Sequence, residues 1–279
     1  MMHRRTFLKN ISALGAMSLL PFRFFGKDRH IPVGIQLWSV RELVSSDFEG
    51  TMKILASIGY ETIEAAGYND RKFYGLSPLQ YKSFLEGLGL NPLSSHSGVT
   101  LENADAAIED TLSAGMKYLV LPSLPQEKRK SADDYKTIAH EMNLIGEKCR
   151  QSGLMFGYHN HAFEFEMLDG EIPYDILLRE TDPDLVTMQA DVYWMVYAGV
   201  EPAYYFRNYP GRFEMWHVKD MEDSPERENT EVGSGIIDFQ KLFELAAIAG
   251  LRHSIVEQES FTMDPIESIT QSYKYLKSL

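Results

Sequence analysis

From residue 31 to its end, the chain alternates eight times between a short β-like run and a helical pattern. The runs cover 32–40, 60–67, 91–98, 117–123, 154–161, 185–194, 212–220 and 252–259. The helical patterns that follow them cover 47–57, 78–88, 103–114, 132–151, 174–179, 202–208, 238–249 and 265–276. Gly59, Gly89, Gly115, Gly153 and Gly250 stand where five helices end, and glycine accepts the left-handed backbone that closes a helix. Asp47, Ser77, Asn103, Ser131 and Asp238 stand where N-caps belong. The runs are short and mainly apolar, as strands buried on both faces are. Eight such units in about 250 residues predict one domain over 31–279, a closed α/β barrel of the (β/α)8 type. The rival, an open doubly wound sheet, would carry a Gly-rich phosphate turn after its first strand, and QLWSVREL has none.

Residues 1–30 read differently. Arg4 and Arg5 precede Thr6-Phe7-Leu8-Lys9 and an apolar run from Ile11 to Leu20, which is too short to span a bilayer. A basic segment before such a run is an export signal, and RRTFLK resembles the bacterial twin-arginine signal. The expectation is a leader over 1–30 and an exported, periplasmic protein. No run in the body approaches the roughly 18 apolar residues of a membrane span.

The whole chain holds 27 Lys and Arg against 40 Asp and Glu. Six of the basic residues and one acid fall in the first 30, leaving 21 basic and 39 acidic residues in the body, a balance of −18. Such a body repels phosphate backbones, so nucleic acid is not expected as a partner. Cys149 is the single cysteine and can form no intrachain disulfide.

In a barrel of this kind chemistry sits at the C-terminal ends of the strands. The polar residues there are Gln36 on the first run, Glu64 on the second, His96 on the third and His159 with His161 on the fifth. The sixth offers Gln189 and Asp191, the seventh His217 and Lys219, the eighth Glu257 and Glu259. His253 lies lower on the eighth. Residues two apart on a strand face the same side, so each pair points inward together and Asn160 points outward. Taken singly, each has a plainer reading: a hydrogen-bonded core histidine, a helix cap at Asp191, half of an ion pair at Glu257. Taken together they are nitrogen and carboxylate donors converging from adjacent strands, and burying that many polar groups without purpose is costly. Two His with two carboxylates suit one divalent Zn²⁺, Mn²⁺, Co²⁺ or Fe²⁺ and disfavour Ca²⁺. The metal candidates are His159, Asp191, His217 and Glu257, with His161 competing for the place of His159.

The strings GIQLWSV, GYETIEAAG, YHNHAFEF, QADVYW, HVKD and IVEQE resemble the xylose isomerase-like TIM barrels, the sugar phosphate isomerase/epimerase family that also includes endonuclease IV and inosose dehydratase. The resemblance runs from about Pro32 to the C-terminus. It implies a metal held by a Glu, Asp, His and Glu from strands 5 to 8, which places Asp191, His217 and Glu257 here. Strand 5 departs from that pattern, since His159 stands where sugar epimerases have a glutamate. The His-x-His of Tyr158-His159-Asn160-His161 is instead similar to inosose dehydratases.

The chemistry the resemblance implies is proton abstraction next to a carbonyl, with the metal stabilising the charge that develops. Glu257 is the first candidate for the base, and His161, Glu64 and Lys219 are its candidate partners. Gln36 and His96 are candidates for substrate hydroxyls. Trp38, Tyr158, Trp194 and Trp216 are candidates for apolar walls, with Trp216 read equally well as core. The expected partner is a small, non-phosphorylated carbohydrate, because no Gly-rich phosphate cradle is visible. Three readings follow: an isomerase or epimerase, a lyase or hydratase on a keto-sugar or keto-inositol, and a sugar-binding barrel without catalysis. Endonuclease activity ranks below these on charge.

Overall fold

A computed structural model describes residues 30–279. Eight parallel strands close into a barrel: β1 Val33–Gln36, β2 Thr62–Ala65, β3 Asn91–His96, β4 Tyr118–Leu121, β5 Met155–His159, β6 Val186–Asp191, β7 Met215–Val218 and β8 His253–Val256. Each strand pairs with the next in sequence, and β8 closes onto β1 through Val33–Ser254, Gly34–Ile255 and Ile35–Val256. This is the expected (β/α)8 barrel. The export signal expected over 1–30 lies, but for His30, outside the described residues. Among the described residues, no helix is long and apolar enough to cross a membrane.

The predicted punctuation explains most element ends. Gly59, Gly89, Gly115, Gly153 and Gly250 all have positive φ, from 76° to 111°. Ser77 and Ser131 form capping boxes at the helices Pro78–Gly87 and Ala132–Gln151. Asp47 caps Phe48–Ile58 and Asp238 caps Phe239–Phe243. Asn103 does not cap its helix. Its side chain turns back to accept from the Thr100 N–H at 2.7 Å and to donate to the Gly98 carbonyl. The single helix expected over 238–249 is two short ones, Phe239–Phe243 and Ala246–Ala249.

All eight strands end before their expected runs, and in two of them a side chain at the last strand residue makes the stop. Gln36 accepts from the Trp38 N–H at 3.2 Å, which starts a 3-10 turn over Leu37–Val40. Asp191 accepts from the Trp194 N–H at 2.9 Å and caps the helix Val192–Tyr197. Trp38 and Trp194 therefore ride on turns leaving the barrel.

The apolar core lies in two places. The larger cluster fills the space between strands and outer helices. A smaller plug of Leu93, Tyr118, Val120, Met215 and Ile255, with Met155 against it, fills the barrel's interior. Above this plug the interior turns polar. The β2–β3 register steps from Ile63–Pro92 to Glu64–Ser94, skipping Leu93, and this irregularity sets the Ser94 hydroxyl beside Glu64.

Candidate metal centre

Strand register brings the candidate ligands together. His159 is opposite Gln189 on β6, Asp191 is opposite His217 on β7, and His217 is opposite Ile255 on β8. One ligand atom each from His159, Asp191, His217 and Glu257 lies within 4.8 Å of the others, and all four residues are buried. The set is two nitrogens and two carboxylates, the donor chemistry of a Zn²⁺-, Mn²⁺-, Co²⁺- or Fe²⁺-type site. One observation fits a cation there. Asp191 gives Oδ1 to the helix cap, while Oδ2 is buried with no hydrogen-bond donor. Lys219 Nζ lies 3.2 Å from that oxygen.

Lys219 is itself fully buried and ion-paired with Asp191, with Glu257 at 2.7 Å and with Glu259. Burial works against its charge, but the three carboxylates outweigh it and hold the ammonium protonated far above its usual range. Burial raises Asp191 to about 6, against the pull of Lys219. Burial also opposes ionisation of Glu257, yet Lys219 and His217 together hold its carboxyl well below the usual range.

His217 lies between two carboxylates, with Nε2 at 2.5 Å from Glu64 Oε1 and Nδ1 at 3.2 Å from Glu257 Oε2. Burial lowers its pKa, but those neighbours outweigh burial and lift it to about 10. His159 goes the other way. Burial, and then the charge of His217, keep it neutral, well below the usual range.

The cavity above this cluster has a volume of about 340 Å³. Its lining includes Trp38, His96, His159, His161, Glu257 and Glu259. Trp38 is half exposed on its wall. His161 lies beyond the end of β5, with its ring edge-on to His159 at 5.0 Å, and its Nδ1 has no partner. Burial and then Lys219 hold His161 down to about 4. Trp194 stands behind it, 5.7 Å between ring centroids, with a buried and unpartnered Nε1.

Other candidates fall elsewhere. Tyr158 does not face the cavity. Alternation along β5 turns it outward between inward-facing Gly157 and His159, where it is fully buried and donates to Glu164. Glu64 and Gln36 lie beneath the cavity with no exposure, so Glu64 is not placed to meet a substrate as a base, nor Gln36 to meet its hydroxyls. His96 is the member of that layer that also reaches the cavity. His253 begins β8 at the far end of the barrel, edge-on to Tyr118. Trp216 packs outward, stacked on Phe206 at 4.4 Å, as core.

Sequence reading left Ser94 and Glu164 without a role. Ser94 was signalled by its position two residues before His96. Glu164, buried on the loop after β5, accepts from Tyr158 and from the His161 N–H, and no local pattern points to it.

The chain belongs to the xylose isomerase-like TIM barrel family, whose pattern matches residues 52–279. Among curated relatives, an inosose dehydratase from Lacticaseibacillus casei is 27% identical over 163 residues, covering 52% of this chain and 54% of the relative. The chain thus aligns with about half the length of the curated relatives it matches. A sugar phosphate isomerase/epimerase structure from Parabacteroides distasonis is 27% identical, with a TM-score of 0.79, covering 91% of this chain and 96% of that one. An IOLI protein with a bound zinc atom shares the fold at 15% identity, with a TM-score of 0.70 and coverage of 89% and 97%.

Proposed function

We propose that this barrel is a metal-dependent isomerase or epimerase that removes a proton next to the carbonyl of a non-phosphorylated sugar or sugar derivative. The observation that carries the reading is the convergence of His159, Asp191, His217 and Glu257 beneath the cavity, with Asp191 Oδ2 left for a cation. When bound, a divalent metal supplies a Lewis acid for the oxygen on which charge grows. Glu257, ionised and on the cavity wall, is the base. His161, neutral and also on the wall, is placed to take or return a proton on another side of the substrate. Lys219 keeps Glu257 and Asp191 ionised together. Trp38 offers an apolar face at the mouth, and His96 a ring nitrogen to a hydroxyl. Among the described residues the lining contains no Lys or Arg to meet a phosphate, and Glu257 and Glu259 would repel one.

A second reading is elimination of water from a keto-sugar or keto-inositol. It is favoured by the absence of a carboxylate on strand 5 to pair with Glu257, and by likeness to inosose dehydratases. One experiment tests both. The protein, loaded with Zn²⁺ or Mn²⁺, is incubated with free ketoses and keto-polyols in D₂O. Deuterium uptake at carbon without loss of mass as water supports the first reading, and water loss the second. Neither, with no metal bound, overturns both in favour of a non-catalytic barrel. Under this reading the leader over 1–30 would deliver the folded enzyme to the periplasm.

A further inference from the structure

Beneath the candidate ligands lies a fully buried hydrogen-bonded layer whose orientation follows from a single backbone N–H. The Trp38 N–H can only donate, so the Gln36 oxygen faces it and the Gln36 amide nitrogen must point the other way. That nitrogen donates to Glu64 Oε1 at 2.9 Å. Glu64 Oε1 also meets His217 Nε2 at 2.5 Å, while Oε2 accepts from Ser94 at 2.6 Å and from Gln189 Nε2 at 2.7 Å. Gln36, Ser94 and Gln189 are three fixed donors to this carboxylate, and so ionised it takes a fourth hydrogen from His217 Nε2. Gln189 is then fixed as well. With its nitrogen on Glu64, its oxygen faces His96 Nε2 at 2.6 Å and His159 Nδ1 at 3.1 Å, and both must donate.

We propose that Glu64 and Gln189 are positioning residues that set which nitrogen of each ligand histidine carries its proton. His159 is held with hydrogen on Nδ1, so Nε2 carries the lone pair, and Nε2 is the atom 3.9 Å from Asp191 Oδ2. His217 is held with hydrogen on Nε2, so a metal would take Nδ1, which without metal donates to Glu257 Oε2 at 3.2 Å. One carboxylate and one amide thus orient two rings on different strands, with opposite tautomers, toward one point. This places Glu64 behind His217 in the carboxylate–histidine–metal arrangement. The inference rests on the reading that these residues hold a metal.

The test uses protein labelled with ¹⁵N-histidine, with Zn²⁺ as the probe. Long-range proton–nitrogen spectra of wild type with Zn²⁺ should show His159 metallated at Nε2 and protonated at Nδ1, and His217 the reverse. Gln189→Leu should mix the His159 tautomers in the metal-free protein. Both Gln189→Leu and Glu64→Gln should weaken Zn²⁺ binding about 10- to 100-fold by chelator competition. Glu64→Gln, which keeps shape and one accepting oxygen, guards against a folding failure of the first variant. Unchanged Zn²⁺ affinity in folded variants, or the opposite nitrogens on the metal, overturns the proposal. If wild type takes up no ion, the metal reading fails instead, and the His159 tautomer in the metal-free protein still decides whether the layer sets it.

Discussion

Asp191 accepts from the Trp194 N–H through one oxygen and leaves the other buried without a donor, so one carboxylate ends a strand, starts a helix and faces the site. The two oxygens can be separated by substitution. Asp191→Asn keeps an oxygen for the cap and puts an amide where the free oxygen stood. It should lower Zn²⁺ affinity at least about tenfold while the helix cap is kept. Asp191→Ala also loses the cap, costing about 1 kcal/mol more in urea unfolding. Equal Zn²⁺ affinity in Asp191→Asn and wild type would show that Oδ2 is not a ligand.

His159 and His161 divide by position. His159 is in the cluster of mutually close ligand atoms, and His161 is on the cavity wall. His159→Ala should weaken Zn²⁺ by more than the roughly 10- to 100-fold that an outer hydrogen-bond partner is worth. His161→Ala should leave Zn²⁺ affinity within about threefold and lower turnover by about 10²-fold or more. Metal titration of the two variants checks this, and the reverse pattern would exchange their roles.

Much of this was legible in the sequence. The alternation of short apolar runs with glycine-terminated helices carries the barrel, because both are local patterns. The early ends of β1 and β6 come from side chains that bond their own backbone, at Gln36 and Asp191, which periodicity does not register. Aromatic character alone points Tyr158 to the cavity, but a His159 facing inward turns its neighbour outward. Glu64 was readable as a polar strand-end residue but not as the centre of a hydrogen-bonded layer. Its donors Gln36, Ser94, Gln189 and His217 come from four other strands, and the most distant is 153 residues away in sequence.

Lys219 is the lysine that neutralises Asp191 and Glu257, with His217 as their second positive neighbour. Lys219→Met should destabilise the metal-free protein by about 3 kcal/mol, since Asp191 and Glu257 are left buried with only His217 to offset their charge. Adding Zn²⁺ should recover part of that loss, because a bound cation supplies the missing positive charge. Thermal unfolding with and without Zn²⁺ reads both effects. A larger Zn²⁺-induced shift in wild type than in the variant would contradict this account.

Glu164 gives a pH dependence away from the metal cluster. Burial, offset in part by donation from Tyr158 and the His161 N–H, lifts its carboxyl to about 7. The unfolded chain releases that proton near 4.5, so between these values the native state binds more protons and stability falls as pH rises. The contribution is fully present below about pH 4.5 and lost by the time pH has passed through 7, on the order of 3 kcal/mol in all. Glu164→Gln should flatten this part of the profile, so the variant gains on wild type between pH 5 and about 8 in urea denaturation. Parallel profiles would place the Glu164 proton elsewhere.

The ligand candidates all come from the last four strands, whereas Gln36, Glu64, Ser94 and His96 beneath them come from the first three. The two halves of the barrel are therefore not exchangeable parts. Residues 150–279 grafted onto another four-stranded half would import every candidate ligand and Gln189 but not Glu64, so the new joint would have to supply one acceptor for His217 Nε2 and another for Gln189 Nε2. A chimera could close its sheet and still hold its imidazoles facing the wrong way.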